Sequence, residues 1–356
     1  MAKALPDIPF PPRPRDPGRW FVVAAFVVSA LAAAWLLVPR SATFRAPAPL
    51  GKAGAVPNDV RRSDGVWYWV ERPPKGKARL MAARAGASPR ALAEEDVVDG
   101  YDVAGGTVAW SGRSGKEWVV RVSAGGNAPR TLRSGPTEAH GPCVDGTDVV
   151  WMERTEAVAS GLETLPTLGG VLKVMRCGIA SGTPAVAAQV PDAGRGVVIG
   201  RSGDAWWVAA MRIDFPGSTV VWRVPAAGGA AQRVVSVSGP TAPVRASGGD
   251  LLLVSPSRES TSPVSSVVLV RLRADGTAQR LSDWLPEGGA AFDSGKGVFY
   301  SDRESPPRLW RPRGIDALPE PFDAPAGHHA IAASEGHLLL SGMGAEDLVL
   351  SEVPIP

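Results

Sequence analysis

A tight turn followed closely by a short apolar run recurs seven times in this chain, and that repeat constrains the fold more than any other feature. The turns are Asp64-Gly65, Gly105-Gly106, Asp145-Gly146, Gly203-Asp204, Gly249-Asp250, Gly295-Lys296-Gly297 and Glu335-Gly336. The runs after them read VWYWV, TVAW, VVW, AWWV, LLLV, VFY and HLLL. The glycines at 65, 106, 146, 203, 249, 297 and 336 stand 41, 40, 57, 46, 48 and 39 residues apart. A period of this size is that of propeller blades. Residues 41–356 divide by seven into units of about 45, close to the usual blade length.

The second half of each unit repeats as well. EWVVRVSAGG runs on to PRTL, TVVWRVPAAGG to QRVV, and SSVVLVRLRADG to AQRL, with LKVMRCGIASG and RLWRPRG as variants. Arg121, Arg176, Arg223, Arg271 and Arg311 hold the same place. The pattern predicts a third strand, a glycine-containing turn and a fourth, outer strand. An evenly distributed arginine is read as a side chain facing outward or pairing across blades, not as a ligand. The expected fold is therefore all-β: a seven-bladed propeller of four-stranded antiparallel blades, preceded by one transmembrane helix. No blade covers its own apolar faces, so each must pack on two neighbours. Apart from Trp20 and Trp35, the tryptophans fall in the repeats. Trp67, Trp69, Trp110, Trp151, Trp206 and Trp207 lie on second strands, and Trp118, Trp222 and Trp310 on third strands. They are read as filling between sheets, with an aromatic ligand cage as the sharper alternative. The last unit shows only three strands, so residues 43–51 are expected to add the missing outer one and remove an open edge.

Residues 20–38, WFVVAAFVVSALAAAWLLV, are 19 residues without a charge. As a helix they span about 28 Å, near the thickness of a bilayer's hydrocarbon core. Arg19 and Arg40 flank them, and Trp20 and Trp35 sit near the ends, where indoles favour the interface. A cleaved secretory signal is the alternative, but its apolar region is usually shorter. The expected organisation is a proline-rich cytoplasmic tail over 1–19, a transmembrane helix over 20–38, a linker and closing strand within 39–57, and a propeller over 58–356. The expected location is the plasma (inner) membrane, single-pass, with the propeller outside the cytoplasm. One partner is then the lipid bilayer, through residues 20–38.

The formal charge of +3 is small. The first 19 residues hold a net +2 of it, so nucleic-acid binding is not expected. Two cysteines cannot build a disulfide scaffold or a four-cysteine zinc site. No zinc-binding histidine spacing, hydrolase Gly-x-Ser-x-Gly, phosphate-binding loop or EF-hand is present, so no catalytic residue, metal or cofactor is expected. In a propeller, a ligand site would form at the channel mouth, where the first strands begin. Asp59, Asp102, His140, Arg201, Arg245, Asp293 and His328 are the candidate ligand-binding residues there, with Tyr101, Glu138 and His329 beside them. A solvated polar tunnel is the plainer reading. Cys143 and Cys177 are a candidate disulfide, with two separate buried thiols as the alternative. Segments 154–171, 209–218 with Phe215, and 255–266 are candidate contact loops on the same face.

WVVRVSAGGNAPRTL (118–132) and LVRLRADGTAQRL (269–281) resemble the repeat of the TolB-like β-propeller superfamily. The likeness extends over 58–356 as a pattern. Two features depart from it: the Ser-Pro-Asp-Gly turn of that group is replaced by plain Asp-Gly or Gly-Gly, and seven units are present where TolB has six. The resemblance implies a protein-binding platform on the envelope side of a membrane. The expected function is accordingly a membrane-anchored, extracytoplasmic scaffold or sensor that binds a protein or peptide of the envelope without catalysis. The alternatives are an extracytoplasmic enzyme, such as a lyase or glycan hydrolase, and a small-ligand- or metal-binding propeller with its site at the channel mouth.

Overall fold

The computed structural model describes residues 46–54, 57–154, 171–191, 195–212, 218–238, 244–245, 249–256, 266–286, 290–302, 308–315, 317–322, 324–325, 328–342 and 348–355. The tail over 1–19, the apolar segment over 20–38, Phe215 and most of 154–171 lie outside them.

The described chain is a run of strands that group into seven antiparallel four-stranded sheets. It opens with β1 (Ala48–Ala53). Blade one is β2 (Asn58–Ser63), β3 (Val66–Glu71), β4 (Ala78–Ala83) and β5 (Arg90–Glu95). Blade two is β6 (Val97–Ala104), β7 (Thr107–Ser114), β8 (Glu117–Ala124) and β9 (Arg130–Gly135). Blade three is β10 (Ala139–Asp145), β11 (Asp148–Arg154), β12 (Leu172–Gly178) and β13 (Pro184–Val190). Blade four is β14 (Arg195–Ser202), β15 (Ala205–Arg212), β16 (Ser218–Pro225) and β17 (Gln232–Ser238). Blade five is β18 (Val244–Arg245), β19 (Leu251–Pro256), β20 (Ser266–Leu272) and β21 (Ala278–Pro286). Blade six is β22 (Ala290–Asp293), β23 (Val298–Ser301), β24 (Leu309–Arg311) and β25 (Glu320–Phe322). Blade seven is β26 (His328–Ser334), β27 (His337–Gly342) and β28 (Leu348–Pro354), and β1 completes it in the order β1-β28-β27-β26.

The seventh sheet thus takes its outer strand from the start of the described chain. Ala48 pairs with Glu352 and Ala53 with Leu348, with a bulge between Pro49 and Gly51. Leu50 is fully buried, and the Gly54 amide donates to Glu71 Oε1 of blade one at 3.0 Å. The strand overlaps the segment 43–51 at residues 48–51. The pairing covers a row of β28 backbone groups that would otherwise be an open edge.

The apolar second strands have no polar alternation because both of their faces are covered. Trp67 and Trp69 pack with Leu339 and Leu350 of blade seven, while Tyr68 and Val70 pack with Tyr101 and Trp110 of blade two. Similar clusters fill the other junctions, so the core runs around the ring. Buried indoles need acceptors for their N–H groups. Trp69 donates to Glu71, Trp110 to Glu95 and Trp151 to Glu153. Arg79, Arg121 and Arg133 pair with those same three carboxylates at 3.2, 2.9 and 3.2 Å. Several third-strand arginines cross between blades: Arg121 pairs with Glu95 of blade one, and Arg176 donates to the Ala226 carbonyl of blade four at 2.9 Å.

Candidate functional site

The first strands of the seven blades surround a central cavity of about 880 Å³. Each runs from an entry end, where the chain arrives from the blade before, to a turn end at the hairpin with the second strand. Bulges interrupt these strands, between Asn58 and Arg61 in β2, Val98 and Gly100 in β6, and His140 and Cys143 in β10. A bulge breaks the alternation of facing and bends the strand. The β10 bulge is built on Gly141, whose φ of +51° suits glycine. A Cβ there would stand 2.7 Å from Val197 Cβ and 2.8 Å from Val197 Cα of blade four.

At mid-depth stands Asp102, only 3% exposed. Its Oδ1 accepts from Arg61 Nη1 of blade one at 2.5 Å, and its Oδ2 accepts from the Val144 amide of blade three at 2.9 Å. One carboxylate therefore clasps three blades. Burial is the largest single effect and works against the Arg61 charge, but Asp102 together with the weaker contributions of Tyr101, Cys143 and Asp59 outweighs it and holds the guanidinium above its ordinary pKa. The Arg61 guanidinium also lies 5.6 Å from the Tyr101 ring centre. The Tyr101 hydroxyl is 2.8 Å from the Tyr68 carbonyl oxygen and within reach of that of Asp59. Burial, above all, pushes the Tyr101 pKa far up, so the phenol stays protonated.

Near the entry end, Asp59 pairs with Arg72 at 3.1 Å. His140 is turned into the junction of blades two and three, where its Nδ1 lies 2.9 Å from Asp99 and its Nε2 lies 3.2 Å from Glu138. Its ring meets that of Trp118 at 5.0 Å, edge to face. His328 and His329 are half-buried at the start of β26, opposite Gly342 and Ser341. Arg245 lies on β18 opposite Leu251, with its side chain outside the described residues.

The candidate residues do not all meet at one mouth. Arg201 and Asp293 belong to the turn end. Arg201 pairs with Trp206 one step from the hairpin and bonds to Asp145 of blade three, while Asp293 closes β22 opposite Val298. Both stand at the far end of a first strand, a strand's length from Asp59. The two cysteines form no disulfide with each other. Cys143 is opposite Val150 and Cys177 opposite Val149, neighbouring positions on β11, so their side chains leave opposite faces of blade three. Cys143 packs toward blade four and Cys177 toward blade two.

Arg61, Arg62, Asp99, Asp302 and Glu335 also line the cavity. Their signal was position on or beside a first strand, read with inward alternation. Simple alternation would have picked only one of Arg61 and Arg62, which are adjacent and both reach the cavity. Each of the cavity's charged side chains has an internal partner. Arg62 bonds to Glu335 at 3.0 Å and Glu352 at 3.3 Å, and Asp293 meets Arg271 at 3.7 Å. Asp302 accepts from Trp310 Nε1 at 2.8 Å. Among the described residues, no three His, Cys, Asp or Glu side chains converge so as to hold a metal ion.

The sequence matches no known family profile and no curated protein. Solved structures do resemble it. An oligogalacturonate lyase in complex with manganese is 10% identical with a TM-score of 0.57, over 88% of this chain and 98% of that one. The β-propeller domain of the Trilobed protease from Pyrococcus furiosus, described as having an open velcro topology, is 11% identical with a TM-score of 0.55, over 88% and 97%. YCF48 bound to D1 peptide is 11% identical with a TM-score of 0.52, over 88% and 99%. At such identities the likeness is one of fold, and it agrees with the repeats and the sheets: this chain is a seven-bladed β-propeller protein.

Proposed function

We propose that this propeller is held outside the cytoplasm by a single membrane-spanning segment at residues 20–38 and binds another envelope protein or peptide without catalysis. The observation that carries the reading is a contrast at the entry end. The cavity's charges are spent on internal partners, whereas Val97, Val171 and Val197 are 41, 38 and 38% exposed there, on blades two, three and four. Exposed apolar groups on three successive blades favour a partner surface at this end, although Val186, Ile315, Leu318 and Val349 are exposed elsewhere on the propeller. The uncharged run over 20–38 supports the anchor, and YCF48 bound to D1 peptide is a propeller of similar fold in a peptide complex. Photo-crosslinkers placed at Val97 and Val197 in intact cells should give a discrete adduct in the membrane fraction, while one at Lys75, on the loop between the second and third strands of blade one, should give none. A propeller found in the soluble fraction, or crosslinkers that capture no protein, would refute the proposal.

A second reading is an extracytoplasmic enzyme, such as a lyase or glycan hydrolase, acting at the channel mouth. The cavity favours it, being within the range of small-molecule sites, roughly 300–1,000 Å³. A lyase of similar fold is also known. Purified chain that degrades a polysaccharide, and loses this on Asp59→Asn, would establish this reading over the first.

A further inference from the structure

The central cavity has two unlike walls. Blades one and two bring Arg61, Tyr101 and Asp102 to its middle depth. The remaining wall is apolar from end to end, with Val197 and Ala290 toward the entry end and Val244, Phe292 and Ile331 deeper, from blades four to seven. The acids on blades six and seven stand at the two ends: Asp302 at the entry end, and Asp293 and Glu335 at the turn end.

The polar wall is unequal in what it offers. Asp102 has one oxygen on Arg61 and the other on the Val144 amide, so both are engaged. Arg61 is different. A guanidinium carries five N–H donors, and among the described residues only Nη1 of Arg61 finds a hydrogen-bond acceptor, in Asp102. Its side chain is 43% exposed and lines the cavity, so its remaining donors face the channel and are open to a ligand's acceptor. The Asp102 carboxylate beneath and the Tyr101 ring beside it hold the group in place. Such a fork matches a carboxylate. Asp59 and Asp99, nearer the entry end, are engaged by Arg72 and His140.

We infer that the channel is a binding site for a small monocarboxylate with an apolar body, its carboxylate on the free edge of Arg61 and its body against Val197, Ala290, Phe292 and Ile331. The site does not depend on the anchor or on a protein partner. Binding there would stiffen the junction of blades one to three through the Arg61–Asp102 clasp.

The test uses the full chain in lipid nanodiscs, with empty discs subtracted, and calorimetric titration of 1-naphthoate and decanoate at neutral pH. The expected result is saturable one-to-one binding of at least one acid, about tenfold or more tighter than its primary amide, as a charge-assisted hydrogen bond implies. Ala290→Trp puts a large ring on the apolar wall where the body of the acid would lie, without touching the clasp, and should weaken binding by about tenfold or more with no fall in melting temperature. Arg61→Gln should erase the preference for acid over amide. If that variant does not fold, the acid–amide comparison and Ala290→Trp decide the matter. Absence of saturable binding by either acid, equal affinity for acid and amide, or unchanged binding by Ala290→Trp would overturn the inference.

Discussion

Asp102→Ala removes a side chain that joins three blades at the channel wall. Two losses follow. The Arg61 bond is charge-assisted, a class that contributes about 1.5–3 kcal/mol. Arg61 is 43% exposed and can be rehydrated, which puts its share at the lower end of that range. The Val144 amide has no such recourse: Val144 is 1% exposed, and stranding a buried donor costs about 1–3 kcal/mol. Together these give a destabilisation of about 3–4 kcal/mol, in line with the cost of breaking a buried pair from one side. For a domain of this size, the melting temperature should fall by about 5–6 °C. Asp102→Asn keeps an acceptor for Val144 and should lose about half as much. Circular dichroism melts of the full chain in nanodiscs would measure both. A melting temperature for Asp102→Ala within about 1 °C of the parent would show that the clasp is not a stabilising element.

Other expectations follow from individual sites. Gly141→Ala adds a Cβ 2.8 Å from the Val197 backbone at a φ of +51°. It should cost about 1–3 kcal/mol in urea unfolding, and an unchanged midpoint would mean that the β10 bulge relaxes freely. Tyr68 and Tyr101, two of the three tyrosines, are held above their ordinary pKa, chiefly by burial. The folded chain then keeps protons that the unfolded chain releases above about pH 10, so stability is intact below that pH and falls as pH rises past it. Tyrosinate absorbance from more than one ring in a still-folded sample near pH 10 would contradict this. Cys143 and Cys177 are each 1% exposed on opposite faces of blade three. Iodoacetamide should therefore add nothing to native protein and two groups after denaturation without reductant. A mass two hydrogens short of the dithiol would point instead to a disulfide.

The blades were legible in the sequence because each is a local meander with its own turns and its own apolar second strand. Trp69, Trp110 and Trp151 announced covered faces, and Arg121 and Arg271 marked third strands that do bring charge to a neighbouring blade. The channel was less legible, because its lining depends on the facing of first strands and five of those carry bulges. Arg61 and Arg62 alternate faces in regular register past the β2 bulge, yet both reach the cavity, because an innermost strand exposes both edges to the channel. Strand direction separates Arg201 and Asp293 from Asp59, and a composition of polar residues near first strands does not carry that information. The cysteines illustrate the same limit. Both sit near one end of blade three, but a register offset of one residue along β11 sends them to opposite faces.

Hydrogen exchange over β28 in the full chain tests the central claim most directly, namely a ring of seven blades whose last sheet is completed by Ala48–Ala53. The backbone groups of β28 that face β1 should exchange as slowly as those of an inner strand, and deletion of 46–54 should make them exchange like an open edge. Fast exchange over 348–354 in the intact chain, or no change on the deletion, would contradict the closure.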